Sequence, residues 1–96
     1  MLDEKIKEGI KNICSSYENI EHVILFGSRA IDKEKYNSDI DLAVIGKFDL
    51  LFCERLKEEL SELPTLLKFD VISYNDIENQ ELINDINNHG KVIYKK

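Results

Sequence analysis

Leu2, Ile6, Ile10, Ile13, Cys14 and Tyr17 recur at helical spacing and predict one face of an amphipathic helix over residues 3–18. The pattern then tightens into a short β-branched and aromatic run, His22 to Phe26, stopped by Gly27, which reads as a buried strand. A polar stretch, Ile31 to Ser38, leads into Ile40-Asp41-Leu42-Ala43-Val44-Ile45, a second strand closed by Gly46. Helical spacing returns at Phe52, Cys53, Leu56, Leu60 and Leu63, with Asp49 placed to cap the helix and Pro64 just past its end. Leu67 to Ser73 predicts a third strand. Asn75 or Asp76 opens a last helix carrying Leu82, Ile83 and Ile86 and ended by Gly90, and Lys91 to Tyr94 has the pattern of a final edge strand. No repeat, low-complexity tract or linker interrupts this order. The expectation is a single domain over residues 1–96, of α/β (α+β) class, with helices packed on a small mixed sheet.

The order of elements makes a prediction about pairing. A strand-helix-strand unit normally sets its two strands parallel and adjacent, and residues 39–73 form such a unit. The connection between the first two strands is shorter and leaves an antiparallel pair open. With that pairing, the end of the first strand and the starts of the second and third meet at one sheet edge. Gly27-Ser28, Asp39 with Asp41, and Asp70 occupy those three positions.

Their chemistry fits the place. Residues two apart in a strand share a face, so Asp39 and Asp41 point the same way with Cα atoms roughly 6.6 Å apart, while Ile40, Leu42 and Val44 take the opposite side. Two carboxylate charges about 4 Å apart repel by about 4 kcal/mol at an effective dielectric near 20. Such crowding suits Mg²⁺, a hard cation that takes carboxylates together with substrate phosphates. Asp70, between Phe69 and Val71, completes a triad that can hold a second metal or accept a proton. A glycine at a strand end lets backbone approach a ligand closely. Ser28 after it can cap a short helix, Arg29–Lys33, and offer donors to a phosphate, and Arg29 can add a charge-assisted contact to a triphosphate. Two metals about 4 Å apart would stabilise the attacking and leaving oxygens of an in-line displacement. Each piece alone is ordinary: a lone Asp-x-Asp is usually a solvated strand end and a lone Gly-Ser a turn. With glycine near 7% of residues, a chance Gly-Ser, ten residues, Asp-x-Asp match is on the order of one in a thousand.

Composition narrows the partners. Apolar content of 43% and charged content of 33% are those of a folded globular chain. The net charge is −6 and no Lys/Arg cluster alternates with aromatics, which excludes broad binding of extended nucleic acid. A single nucleotide stays compatible when metal ions supply the positive charge. No apolar run approaches the roughly 20 residues of a bilayer span, and Met1-Leu2-Asp3-Glu4-Lys5 has no signal-peptide character, so a cytoplasmic location is expected. Cys14 and Cys53 fall among apolar neighbours and read as core residues, and His22 and His89 lack metal-ligand spacing.

The segment Gly27-Ser28-Arg29-Ala30 … Ser38-Asp39-Ile40-Asp41-Leu42-Ala43-Val44 closely resembles the minimal nucleotidyltransferase (MNT) family of the DNA polymerase beta superfamily, including its MntA-like antitoxins. Phe69-Asp70-Val71 is similar to the family's third aspartate strand, and Gly90-Lys91-Val92-Ile93-Tyr94 to its usual ending. The resemblance implies a polymerase beta palm-like fold and transfer of a nucleoside monophosphate, AMP from ATP, to an acceptor hydroxyl. By position, Gly27, Ser28 and Arg29 would hold the nucleotide, and Asp39, Asp41 and Asp70 would bind Mg²⁺, with Asp70 also the base. It further implies a partner, a HEPN-domain ribonuclease toxin that the chain neutralises as antitoxin. One position departs from the pattern: relatives often have glycine where this chain has Asp32.

Three readings follow: an active nucleotidyltransferase that modifies a partner protein, an inactive antitoxin that blocks its toxin by binding alone, and a small-molecule nucleotidyltransferase. The intact triad favours the first over the second, because a pure binder has no reason to keep three crowded carboxylates. The third lacks a further domain to enclose its acceptor. A domain of this size offers few walls for a nucleotide and an acceptor together, so a homo- or hetero-oligomer is expected.

Overall fold

The computed structural model describes residues 2–96, and Met1 lies outside them. The elements run α1 (Glu4–Ser15), β1 (Ile20–Phe26), a 3-10 turn (Ser28–Ile31), β2 (Ile40–Gly46), α2 (Leu50–Leu60), β3 (Phe69–Ser73), a second 3-10 turn (Tyr74–Asp76), α3 (Gln80–His89) and β4 (Lys91–Lys95). The four strands form one sheet in the order β3-β2-β1-β4. β1 lies antiparallel to both β2 and β4, and β2 lies parallel to β3. The sheet is therefore mixed: the α2 crossover gives the parallel pair, as expected, and the β1–β2 pairing that the short link left open is antiparallel.

Strand alternation divides the core between the two faces. Ile40, Leu42 and Val44 join Ile6, Ile10 and Cys14 of α1 and Cys53, Leu56 and Leu60 of α2 in one buried cluster. Phe26 and Ala43 face the other way and meet Ile86 of α3. Both faces of β2 are thus covered along most of its length, which is why its sequence is almost continuously apolar. The exception is its first turn of pleat, where Asp41 stands half-buried.

Helix ends differ from the sequence pattern for local reasons. α1 stops at Ser15 rather than at residue 18. The Ser15 and Ser16 hydroxyls turn back to donate to the Asn12 and Ile13 carbonyls at 2.9 and 2.7 Å, competing with continuation of the helix. α2 is capped as expected, with Asp49 Oδ1 accepting from the Phe52 amide at 3.0 Å. α3 opens later than Asn75 or Asp76: those residues sit in the 3-10 turn, and Asn79 is the cap, accepting from the Leu82 amide at 3.1 Å. The extended Ile77 between them packs against the Phe26–Ala43–Ile86 cluster, and Asn75 Nδ2 reaches the Gly46 carbonyl at 3.3 Å. Tertiary packing of Ile77 delays the helix. β4 makes β1 an interior strand and carries the edge itself.

Asp32 closes the first 3-10 turn with φ 56° and ψ 35°, the left-handed region. A glycine meets no steric cost there. Aspartate is among the few other residues that visit this region readily. We therefore expect Asp32→Gly to fold as the parent does, whereas Asp32→Val should lose about 1–2 kcal/mol, read from urea unfolding midpoints.

Candidate active site

The register of the sheet assembles the site. Asp41 pairs with Phe26, the last residue of β1, on one side and with Asp70 on the other. Directly paired residues of neighbouring strands share a face, with strands about 4.8 Å apart, so the Asp41 and Asp70 side chains emerge together. Asp39 precedes β2 by one residue and is exposed, as is Asp70. The three carboxylates and Gly27-Ser28 thus gather at one end of the sheet, as their order in the chain predicts.

Gly27 adopts φ 78°, and a Cβ built on it would stand 2.3 Å from Asp41 Oδ2. Only glycine fits this place, on conformation and on space together. The strand-end backbone and the Asp41 carboxylate are therefore in close approach before any ligand arrives. Burial raises the Asp41 carboxyl above its ordinary range, and the neighbouring Asp70 and Asp39 charges raise it further, against an opposing pull from Arg29. A carboxyl displaced upward by burial and like charge is one that a cation would relieve.

Ser28 sits differently from its expected place. It is the first residue of the 3-10 turn, while Gly27 takes the capping position and makes no side-chain bond. The Ser28 hydroxyl is thus not consumed as a cap. Arg29, expected at the triphosphate, is only 7% exposed. Its Nε and Nη2 donate to the Ser38 carbonyl at 3.1 and 2.9 Å. Arg29 acts as a positioning residue: it ties the turn after β1 to the residue preceding Asp39, and its charge reaches Asp41. The Ser38 end is closed by a further turn, with the Ser38 amide donating to the Lys35 carbonyl at 3.0 Å and Ser38 Oγ accepting from the Lys35 amide at 2.9 Å.

Among the described residues, no three His, Cys, Asp or Glu side chains form a group that could hold a metal ion. The triad predicted as a metal site is gathered but not closed. Its donor set nevertheless fits Mg²⁺, which is commonly held by one or two carboxylates with substrate phosphates supplying the rest. The remaining chemistry-bearing residues are elsewhere. Burial, with Glu59 nearby, pushes the Cys14 thiol up to about 12, and burial chiefly raises Cys53 as well, so both are inert core residues as expected. Two clefts beside the carboxylates, one holding Tyr36, Asp39 and Lys68 and the other Asp39, Asp70 and Lys57, had no counterpart in the sequence motifs.

A sheet that sets an Asp-x-Asp strand between a Gly-Ser turn and a third aspartate strand defines a nucleotidyltransferase. The family model for polymerase beta nucleotidyltransferases matches residues 8–96, and the chain belongs to that family. A Methanocaldococcus jannaschii protein named "Putative protein adenylyltransferase MJ0604" is 32% identical over 105 residues, covering 98% of this chain and 100% of the relative. The fold is shared with a toxin-antitoxin crystal structure containing AMP-PNP, at TM-score 0.78 and 22% identity over 94% of this chain and 73% of that one. It is shared also with a Shewanella oneidensis complex of a tri-AMPylated HEPN toxin and an MNT antitoxin, at TM-score 0.72 and 20% identity over 95% and 71% of the two chains. No helix among the described residues is long and apolar enough to cross a membrane.

Two expectations follow from this geometry. Because burial and like charge raise the folded-state pKa of Asp41, its ionised form weakens the metal-free fold at neutral pH. That penalty disappears as pH falls through the raised value toward the ordinary 3.8. Asp41→Asn should therefore melt higher than the parent at pH 7 without metal, the gap closing on acidification in paired melting curves. Arg29→Lys removes the two-pronged donor to Ser38 and should cost about 1.5–3 kcal/mol, measured by urea unfolding.

Proposed function

We propose that this chain is a Mg²⁺-dependent protein adenylyltransferase that moves AMP from ATP to a hydroxyl of a HEPN-domain toxin, and so serves as its antitoxin in the cytoplasm. The observation that carries the reading is the Asp41–Asp70 register, with Gly27 pressed against the Asp41 carboxylate. The M. jannaschii relative's name supports the reaction, and the HEPN–MNT complex supports the partner.

The residues divide the work. The close-approaching backbone at Gly27 and the Ser28 hydroxyl hold the triphosphate. Asp39 and Asp41, with Asp70, hold Mg²⁺, which when bound neutralises phosphate charge and polarises the phosphoryl oxygens. Asp70 stands at the outer strand, where an acceptor can reach it, and takes the proton of the attacking hydroxyl. Arg29 fixes the approach of Asp39 through Ser38. Such a site provides positioning and electrostatics, which is most of what phosphoryl transfer asks of a protein.

Incubation with Mg²⁺, labelled ATP and a co-purified HEPN-domain protein should label that protein at a hydroxyl. Asp39→Asn, Asp41→Asn and Asp70→Asn should each lower transfer on the order of 100-fold or more while leaving the fold intact. Mg²⁺ with ATP should raise the melting point, since a hundredfold excess over Kd stabilises by about 2.7 kcal/mol. A chain that binds the HEPN protein yet labels it with none of the four NTPs would be an antitoxin acting by complex formation alone.

A further inference from the structure

Tyr36 is 94% exposed and stands at the tip of the closed Lys35–Ser38 turn. It lines one cleft with Asn37, Asp39, Leu66 and Lys68. The adjoining cleft continues from Asp39, Leu66 and Lys68 to Asp70 and Lys57. Tyr36 thereby stands at one end of a run of clefts that Asp39 and Asp70 also line. The turn that carries it is braced to Asp39 through Ser38, and Ser38 in turn is held by Arg29.

Strand order decides what that surface can do. Gly27-Ser28 flanks Asp41 on the β1 side and Asp70 flanks it on the β3 side. An in-line displacement sets the entering oxygen opposite the leaving pyrophosphate. With the triphosphate on Gly27-Ser28, the acceptor enters from the β3 side, where the Tyr36 cleft opens at the starts of β2 and β3. The other tyrosines are placed otherwise. The Tyr17 hydroxyl donates to Glu59, the Tyr74 hydroxyl donates to Asn87 Oδ1 at 2.7 Å, and Tyr94 lies on β4, beyond β1 from the site.

We propose that Tyr36 is a self-modification site, accepting AMP from ATP bound at this same centre. The inference rests on the adenylyltransferase reading and adds a second acceptor to it. Tyr36 Oη attacks the α-phosphorus, forming an O–P bond. The bond from that phosphorus to the oxygen bridging to the β-phosphate breaks, and pyrophosphate leaves with the electron pair. The phenolic proton passes to the Asp70 carboxylate and on to solvent. The product is a phosphodiester of Tyr36 on the acceptor side of the cleft.

The test uses the full chain with Mg²⁺ and ATP alone, read by intact-mass and peptide mass spectrometry. The expected result is a gain of one AMP per chain, mapped to Tyr36, absent in Tyr36→Phe and in Asp41→Asn. Tyr36→Phe should still transfer AMP to a HEPN-domain protein. A second reading needs no turnover: Mg²⁺ with AMP-PNP should slow nitration of Tyr36 by tetranitromethane several-fold and leave Tyr94 unaffected. A chain that labels the HEPN protein but never Tyr36 overturns this inference and spares the adenylyltransferase reading. So does a mark at another residue, or Tyr36 nitration indifferent to nucleotide. If label is absent and Tyr36→Ala weakens transfer to the partner, the residue is a docking contact and not an acceptor. A chain inert toward both acceptors overturns both readings.

Discussion

The parallel pairing of β2 with β3, Ile40 against Phe69 and Asp41 against Asp70, brings like charges together, and something other than the charges must hold it. The apolar residues alternating with the aspartates do so. Ile40, Leu42, Phe69 and Val71 are all buried in the cluster beneath α1 and α2. Each such side chain contributes about 1.5–3 kcal/mol on burial. Four of them outweigh a carboxylate repulsion of about 4 kcal/mol at an effective dielectric near 20. A slip of one residue would turn the whole apolar set out of the core, so the register is fixed by packing and the carboxylates are carried along. The site is a charged feature imposed by an uncharged constraint.

Arg29 shows how the remaining freedom is removed. Asp39 lies outside the strand and would be free to swing with the long connection that precedes it. The guanidinium, buried at the turn after β1, grips the Ser38 carbonyl from across the site. A charge-assisted bond inside the fold is stronger than a neutral one and more costly to leave unmade. One residue thereby joins the Gly-Ser end of the site to its Asp-x-Asp end, and its charge offsets part of the strain on Asp41. The 3-10 turn that carries Arg29 ends in the left-handed Asp32, so the path of the chain around the site is set at both ends of that turn.

The carboxylates gather without closing on one point. Mg²⁺ keeps octahedral coordination and takes part of it from substrate phosphates. A cage complete without nucleotide would leave less for the nucleotide to contribute, whereas under the proposed function an open arrangement would make the triphosphate part of the reacting structure. A cleft on the β3 side is lined by Leu66, Lys68 and Tyr36.

Periodicity and spacing were enough to read the sheet-forming segments, the α2 cap at Asp49 and the parallel pairing across α2, because these depend on local pattern and on chain connectivity; they left the β1–β2 pairing open, and the convergence of Gly27, Asp39, Asp41 and Asp70 depended on its being antiparallel. What the pattern did not carry was contact between segments distant in the chain. The end of α1 depended on Ser15 and Ser16 bonding back to the helix, and the start of α3 on Ile77 packing under the sheet. Arg29 looks in sequence like a phosphate ligand, since an arginine beside a Gly-Ser turn has the right charge in the right place. Only the fold turns it toward Ser38, and only the fold sets Tyr36 beside Leu66 and Lys68. A side chain's type and its distance along the chain limit what it can do, but its partner is chosen by burial, and burial is decided by packing over the whole chain.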